Sequence, residues 1–289
     1  IEAVLAAENQ RLPFEPIDHR TLLGTDGEPT IGGVVAGNVS GPRRAQAGAC
    51  RDYLLGVRYV DGLGQVIKNG GRVMKNVTGY DLVKVMAGSW GTLGVLSEVS
   101  LKVMPQVEAT ATLSIDGLDH ARAVAAMSAA LGSPFEVTGA AHTGGTTYVR
   151  IEGFDASVAY RAAELTKILA PFGNASTAMG AETAKIWTDI RDVAPFHGTS
   201  GDVWKLSLKP SDAPDLVARS KAAQVLFDWG GGLVWLETAP GSDLRADLGA
   251  FEGHATLIRA SSQTRHAVPA FHPEPTALAA LTQGLRQKF

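Results

Sequence analysis

The stretch T-I-G-G-V-V-A-G-N-V-S-G-P-R-R (30–44), together with M-A-G-S-W-G-T-L-G-V-L-S-E-V-S-L-K-V-M-P (86–105), decides how this chain is read. Between them lie an apolar run, Leu54 to Val60, and the segment G-G-R-V-M-K-N-V-T-G-Y-D-L (70–82). Glycines cluster at 32–33, 37 and 41, and again at 88, 91 and 94. Such clusters let a backbone take positive φ and bring its N–H groups close to a flat or phosphorylated ligand. The β-rich runs Tyr53–Val60 and Val95–Val103 flank them, so the glycines, including the Thr30–Ala36 segment, are expected on turns between strands. A site built largely from main chain is the expectation.

Composition narrows the function classes. With 289 residues, the chain is long enough for two domains. Hydrophobic residues at 45% and charged residues at 19% are those of an ordinary globular protein. A net charge of −3 gives no basic surface for nucleic acid or anionic lipid. The single cysteine forbids an internal disulfide and fits a reducing cytoplasm. No apolar run approaches the roughly 20 residues that span a bilayer, so direct membrane insertion is not expected.

Beyond Pro105 the texture changes. Strands are expected at 108–115, 135–140, 146–152, 203–208, 223–227, 232–237 and 254–259. Helices are expected at 119–131, 156–169, 181–191, 213–221 and 244–251, with a terminal one after Pro273. Two rounds of strand, helix, strand, strand and helix predict an α+β antiparallel sheet with helices on one face. The expected division is 1–105, 106–265 and a C-terminal segment 266–289 that returns toward the first domain.

The motifs T-I-G-G-V-V-A (30–36), S-G-P-R-R (40–44), G-A-C-R-D-Y (48–53), 70–82 and G-S-W-G-T-L-G-V-L-S-E-V-S-L-K-V (88–103) carry a resemblance. In order and spacing they resemble the second half of the PCMH-type FAD-binding domain of the vanillyl-alcohol-oxidase superfamily. Within it they are most similar to the family of FAD-binding subunits of bacterial glycolate oxidase. A weaker likeness continues through W-K-L-S-L (204–208) and G-H-A-T-L-I-R-A (253–260).

The resemblance implies FAD as cofactor and an antiparallel, ferredoxin-like cap domain. It also implies that the first FAD subdomain would precede Ile1, so that the chain is expected to be a fragment in which FAD retention is in question. Thr30, Ile31, Gly32, Gly33, Val35, Ala36, Ser40 and Gly41 would meet the isoalloxazine or phosphate. Gly91, Thr92, Gly94 and Val95 would line the adenosine and pyrophosphate side, the Thr92 hydroxyl serving as a donor. The alternative for each is a tight turn needed for sheet packing. Arg43 and Arg44 would place charge near the flavin, or form a surface ion pair or partner contact. Asp81 reads as a helix cap, Lys75 and Asn76 as structural, and Cys50 as a small buried hydrophobe ahead of a covalent flavin link.

No catalytic residue is assigned. The family's H-x-G-D-G-N-x-H metal signature is absent, no metal site is expected, and Trp90 stands where catalytic relatives often carry glutamate. Arg150, Arg259 and Arg265 could hold a carboxylate, but each reads more simply as a solvated strand or loop residue. The expected function is the FAD-binding subunit of a glycolate oxidase complex oxidising glycolate to glyoxylate, in an auxiliary flavin or scaffolding role. The alternatives are a stand-alone FAD-dependent 2-hydroxy-acid (D-lactate-type) dehydrogenase and a structural subunit without flavin. Expected partners are a sister flavin subunit carrying the metal signature and an iron–sulfur subunit. The expected place is the cytoplasm, peripheral to the inner membrane through that complex.

Overall fold

The computed structural model describes residues 1–73 and 79–289; the expectations for Lys75 and Asn76 lie outside them. The apolar run of the first region forms β1 (Leu54–Val60), the centre of a three-stranded antiparallel sheet. It pairs with β2 (Val66–Gly70) and β3 (Val95–Leu101), setting Tyr59 opposite Ile67 and Leu96. Leu54, Val57 and Tyr59 belong to its buried core, as a half-buried strand requires. Val35, Val83, Met86 and Leu93 complete that core. Asp81 caps the helix Leu82–Met86, accepting from the Lys84 N–H at 3.3 Å.

The second region is an eight-stranded antiparallel sheet. Its strands are β4 (Ala109–Asp116), β5 (Gly139–Thr143), β6 (Thr146–Gly153), β7 (Ser176–Met179), β8 (Asp202–Leu208), β9 (Gln224–Asp228), β10 (Leu233–Thr238) and β11 (Gly253–Arg259). In space they run β11-β8-β10-β9-β5-β6-β4-β7. Each set of four, β4–β7 and β8–β11, has its first strand between the fourth and the third, with the second at the far edge. The ferredoxin-like arrangement is thus present twice. The two units join through their second strands, β5 and β9, at Leu226–Thr143 and Phe227–His142.

Helices His120–Leu131, Asp155–Leu169, Ala213–Ser220 and Leu244–Leu248 bury one face of this sheet against Leu113, Ile151, Trp204 and Leu236. The helix Gly180–Arg191 covers the other face over the first unit, laying Trp187 and Ile190 on Ala141. Over the second unit that face meets Ile17 and Leu22 of the first region, packed with Val203, Leu226 and Trp235.

Several expectations are corrected. The 135–140 strand starts only at Gly139 because Glu136 takes a positive φ of 47° and breaks the extended run. The strand Ser176–Met179 and the short helices Arg20–Leu23 and Ser262–Ala267 were not expected. The Thr30–Ala36 segment is not a turn: Ile31–Ala36 is a helix. No helix among the described residues is long and apolar enough to cross a membrane.

An ion network ties the two regions together. Arg150, 2% exposed at its side chain and so not solvated, forms a bidentate pair with Glu15 at 2.9 and 2.8 Å. Arg43 reaches Glu152 at 2.7 and 2.6 Å and Glu15 at 3.1 Å, and Arg11 meets Glu152 at 3.0 Å. Arg259 is not solvated either: its guanidinium donates to the Leu22 and Phe196 carbonyls at 3.2 and 2.6 Å. Burial alone would raise the Glu152 carboxyl. The Arg43 hydrogen bond and the Arg150, Arg43 and Arg11 charges overcome it and hold the group below the usual carboxylate range. Glu15 is lowered in the same way: burial opposes, and Arg150 and Arg43 prevail.

Candidate functional site

The helix Ile31–Ala36 forms in spite of two glycines because Thr30 caps it, its Oγ1 accepting from the Gly33 N–H at 3.1 Å, and because Val35 is fully buried. Gly32 and Gly33 are therefore helical and do not use positive φ; Gly88, Gly91 and Gly94 do. At Gly33 a Cβ would meet only the Thr30 Oγ1, at 3.3 Å. The helix thus shows bare backbone on one side. That side faces the cap sheet across a cleft of about 570 Å3.

Thr30, Gly33, Ser40 and Gly41 line this cleft on the first-region side. Across it, neighbouring strands β8, β9 and β10 present Lys205, Asp228, Leu233 and Trp235 on one sheet face, with Lys205 opposite Trp235 and Asp228 opposite Leu233. Trp90 and Phe271 also line the cleft, edge to face with centroids 5.2 Å apart. Trp90 holds a positive φ of 55°, and its N–H donates to the Ala36 carbonyl at 2.9 Å. Its position is set by the end of the Thr30-capped helix.

Two cleft groups are tuned toward neutral pH. Burial, helped by the Arg44 charge, pulls the Lys205 ammonium down to about 8. Burial pushes the Asp228 carboxyl up to about 7, against the Trp229 N–H bond at 2.7 Å and the Arg150 charge. Lys205 has no ion pair or hydrogen bond with any described residue; its Nζ lies 5.9 Å from the Trp235 ring centroid. Sequence reasoning missed both groups. The strand W-K-L-S-L alternates apolar with Lys205 and Ser207, an ordinary half-buried pattern, so nothing in it marked Lys205 out.

The other expected site residues are spread more widely. Ile31 and Gly32 face a separate groove along β3, and Val35 lies in the core. Ala36 contributes its carbonyl to Trp90. Thr92 lines a second cleft with Gly88, His254 and the C-terminal helix Thr276–Arg286, but its hydroxyl donates to the Ser89 carbonyl at 2.7 Å and is not free. Gly91 is exposed with open space around its Cβ position. Gly94 lies where a Cβ would strike the Val60 carbonyl and the Tyr59 ring, so the β1–β3 approach itself accounts for it. Val95 is exposed on β3. The 91–95 group therefore does not join the 30–41 group in one pocket.

Arg43 belongs to the buried ion network, and the Arg44 guanidinium stacks 4.6 Å over the Trp229 ring, whose Nε1 donates to the Gly41 carbonyl at 2.9 Å. Neither lines the cleft. Cys50 is fully buried and its thiol is pushed up to about 12 by burial, the opposite of what covalent attachment needs.

Comparison with known proteins gives this geometry a lineage. A family model described as an FAD binding domain matches residues 2–70. The chain is 36% identical over 263 residues to glycolate oxidase subunit GlcE of Escherichia coli, covering 90% of this chain and 68% of that one. The chain belongs to the glycolate oxidase subunit GlcE family. Subunit GlcD of Bacillus subtilis is 42% identical over 113 residues, 39% of this chain and 23% of that one. Alkyldihydroxyacetonephosphate synthase superposes with a TM-score of 0.65 at 14% identity, over 99% of this chain and 60% of that one, a likeness of fold alone. The α+β architecture with a PCMH-type FAD-binding region follows from these matches and from the sheet order.

Proposed function

We infer that the chain is the FAD-binding subunit of a glycolate oxidase complex, with the flavin ring held in the cleft between Thr30–Gly41 and the cap sheet. The observation that carries this is the bare face of the Thr30-capped helix: Gly33 leaves its backbone open to the cleft, where any side chain would fill it. The cleft's volume lies in the range of small-molecule sites, about 300–1,000 Å3, and its walls combine Trp90, Trp235 and Phe271 with charged groups including Arg20, Lys205, Asp228 and Arg265. FAD when bound supplies the two-electron acceptor for oxidation of a hydroxy acid such as glycolate to its 2-oxo acid.

Thr30, Gly33, Ser40 and Gly41 would meet the ring directly. Val35 and Ala36 would hold the helix and Trp90 in place. Ile31, Gly32, Gly91, Thr92, Gly94 and Val95, on separate surfaces, would serve the rest of the cofactor or the packing around it. The division into a flavin-side domain (1–105), a cap (106–265) and a returning segment (266–289) belongs to the same reading. It is supported by the Phe289 carbonyl accepting from the Gly62 N–H at 2.7 Å and by Phe271 beside Trp90.

The likeness to both GlcE and GlcD supports a multi-subunit assembly. In our reading the partners are a sister flavin subunit and an iron–sulfur subunit, at the inner membrane face. The test is a visible spectrum of the purified protein, with and without added FAD, alone and co-expressed with the sister subunit. Flavin bands that survive gel filtration are the expected result. Their absence under every condition would leave a scaffolding subunit.

A further inference from the structure

The wall that the returning segment gives the cleft is held from the far side of the cap sheet. Between the helices Ser262–Ala267 and Thr276–Arg286 the chain has no regular structure. It carries Pro269, Pro273 and Pro275 there, which have no N–H to offer a strand. The segment runs along β11, at one end of the sheet order, and meets it through two bonds. The Leu257 N–H donates to the Ala270 carbonyl at 2.8 Å, and the Ala255 N–H to His272 Nδ1 at 3.2 Å. Between them Phe271 enters the cleft beside Trp90 with half its surface still in solvent, so burial of its ring fixes the segment only weakly.

Arg245 supplies the rest. Its guanidinium stacks 5.0 Å over the ring of Trp204, which is buried on the helix-covered face. Nη1 donates to the Phe271 carbonyl at 2.7 Å and to the Ala255 carbonyl at 3.2 Å, and Nη2 donates to the Pro269 carbonyl. One cation thus grips the segment on both sides of Ala270 and ties it to β11. Asp243 stands 3.8 Å from Nε, too far for a hydrogen bond, so the donors are directed at carbonyls. A planar fork can meet three carbonyls at once, whereas an ammonium is a point charge without that geometry.

We propose that Arg245 is a positioning residue for the cleft: it clasps the Pro269 and Phe271 carbonyls, holds Phe271 against Trp90 and so sets the aromatic wall beside the flavin ring. The inference rests on the functional reading above for the identity of that ring, but not for the clasp.

The test uses the purified full-length protein, in its complex where it is obtained that way. Amide exchange at Leu257, acrylamide quenching of tryptophan fluorescence and the rate of FAD release are measured on the same preparations. Trp90 is 55% exposed while Trp187, Trp204 and Trp235 are buried, and a Trp90→Phe background isolates its signal. Arg245→Met keeps an apolar stem over Trp204 and removes the donors. It is expected to speed Leu257 exchange and FAD release about tenfold, the size of a lost bond to a charged group, and to raise quenching of Trp90. Arg245→Lys is expected to fall between. Phe271→Ala is expected to speed FAD release as much, and the double variant no further, since both changes act through one ring. Wild-type exchange at Leu257 in Arg245→Met, or additive effects of the two substitutions on FAD release, would overturn the proposal. A wild type that binds no FAD would remove the flavin reading and leave Trp90 quenching to decide the clasp: a rise in Arg245→Met upholds it, and none overturns it. If Arg245→Met does not fold, Arg245→Lys carries the same readouts.

Discussion

At Gly33 the difference between a functional glycine and a structural one becomes measurable. Its φ is not left-handed, and a Cβ there would meet only its own cap, the Thr30 Oγ1, at 3.3 Å. Gly33→Val should therefore leave the fold intact, within about 1 kcal/mol given the helix propensities of the two residues, and yet lose bound flavin. Flavin content by absorbance and unfolding by urea on the same preparation decide it; full flavin retention would remove Gly33 from the cofactor surface. Gly91→Val is a poorer test, because φ of +72° at Gly91 imposes a strain of about 1–2 kcal/mol on any side chain whatever is bound. Gly94 is different again, its Cβ space being taken by β1.

The same distinction explains how much could be read from the elements. The apolar run of Leu54–Val60, the alternation of Ala109–Asp116 and the Ala-rich period of His120–Leu131 made most strands and helices legible, since those patterns report burial directly. Asp81 was visible as a cap from its place just before a helical run. The helix at Ile31 was not, because two glycines argue against a helix by propensity while one cap and one buried valine argue for it, and context won. Its dependence on the cap can be measured. Thr30→Ala is expected to cost about 1 kcal/mol, to speed amide exchange at Gly33 and Val34, and to lower flavin retention. Unaltered exchange at those amides would show that packing alone holds the element. The cleft's cap-side groups escaped the reading because Lys205 and Asp228 lie 23 residues apart, in strands whose places on either side of β10 only the sheet order reveals.

On the scale of the whole molecule, Arg11, Glu15, Arg43, Arg150 and Glu152 set how the first region meets the cap. Removing one member leaves opposite charges buried, so Arg43→Met is expected to destabilise by about 3–5 kcal/mol in urea unfolding. Glu15 and Glu152 are both lowered from an ordinary value of 4.5. Their contribution is therefore complete above that value and is lost as pH falls through the lower folded values. The urea midpoint should drop between about pH 5 and about pH 3, less steeply in Arg43→Met, where Glu152 is held down less firmly. A flat acid limb in wild type would mean that the network carries no net stability.

The cap has an unequal use of equal halves. Its two units share one strand order and meet antiparallel through equivalent strands, the relation a twofold axis requires. A strictly symmetric sheet would offer two like walls, one on each unit. The helix that follows β7 runs for 12 residues and covers the first; its counterpart after β11 runs for 6, and there Ile17 and Leu22 of the first region pack instead. The placing of the candidate cleft over one unit is thus a matter of broken symmetry, set by the length of one connector and not by the strands themselves.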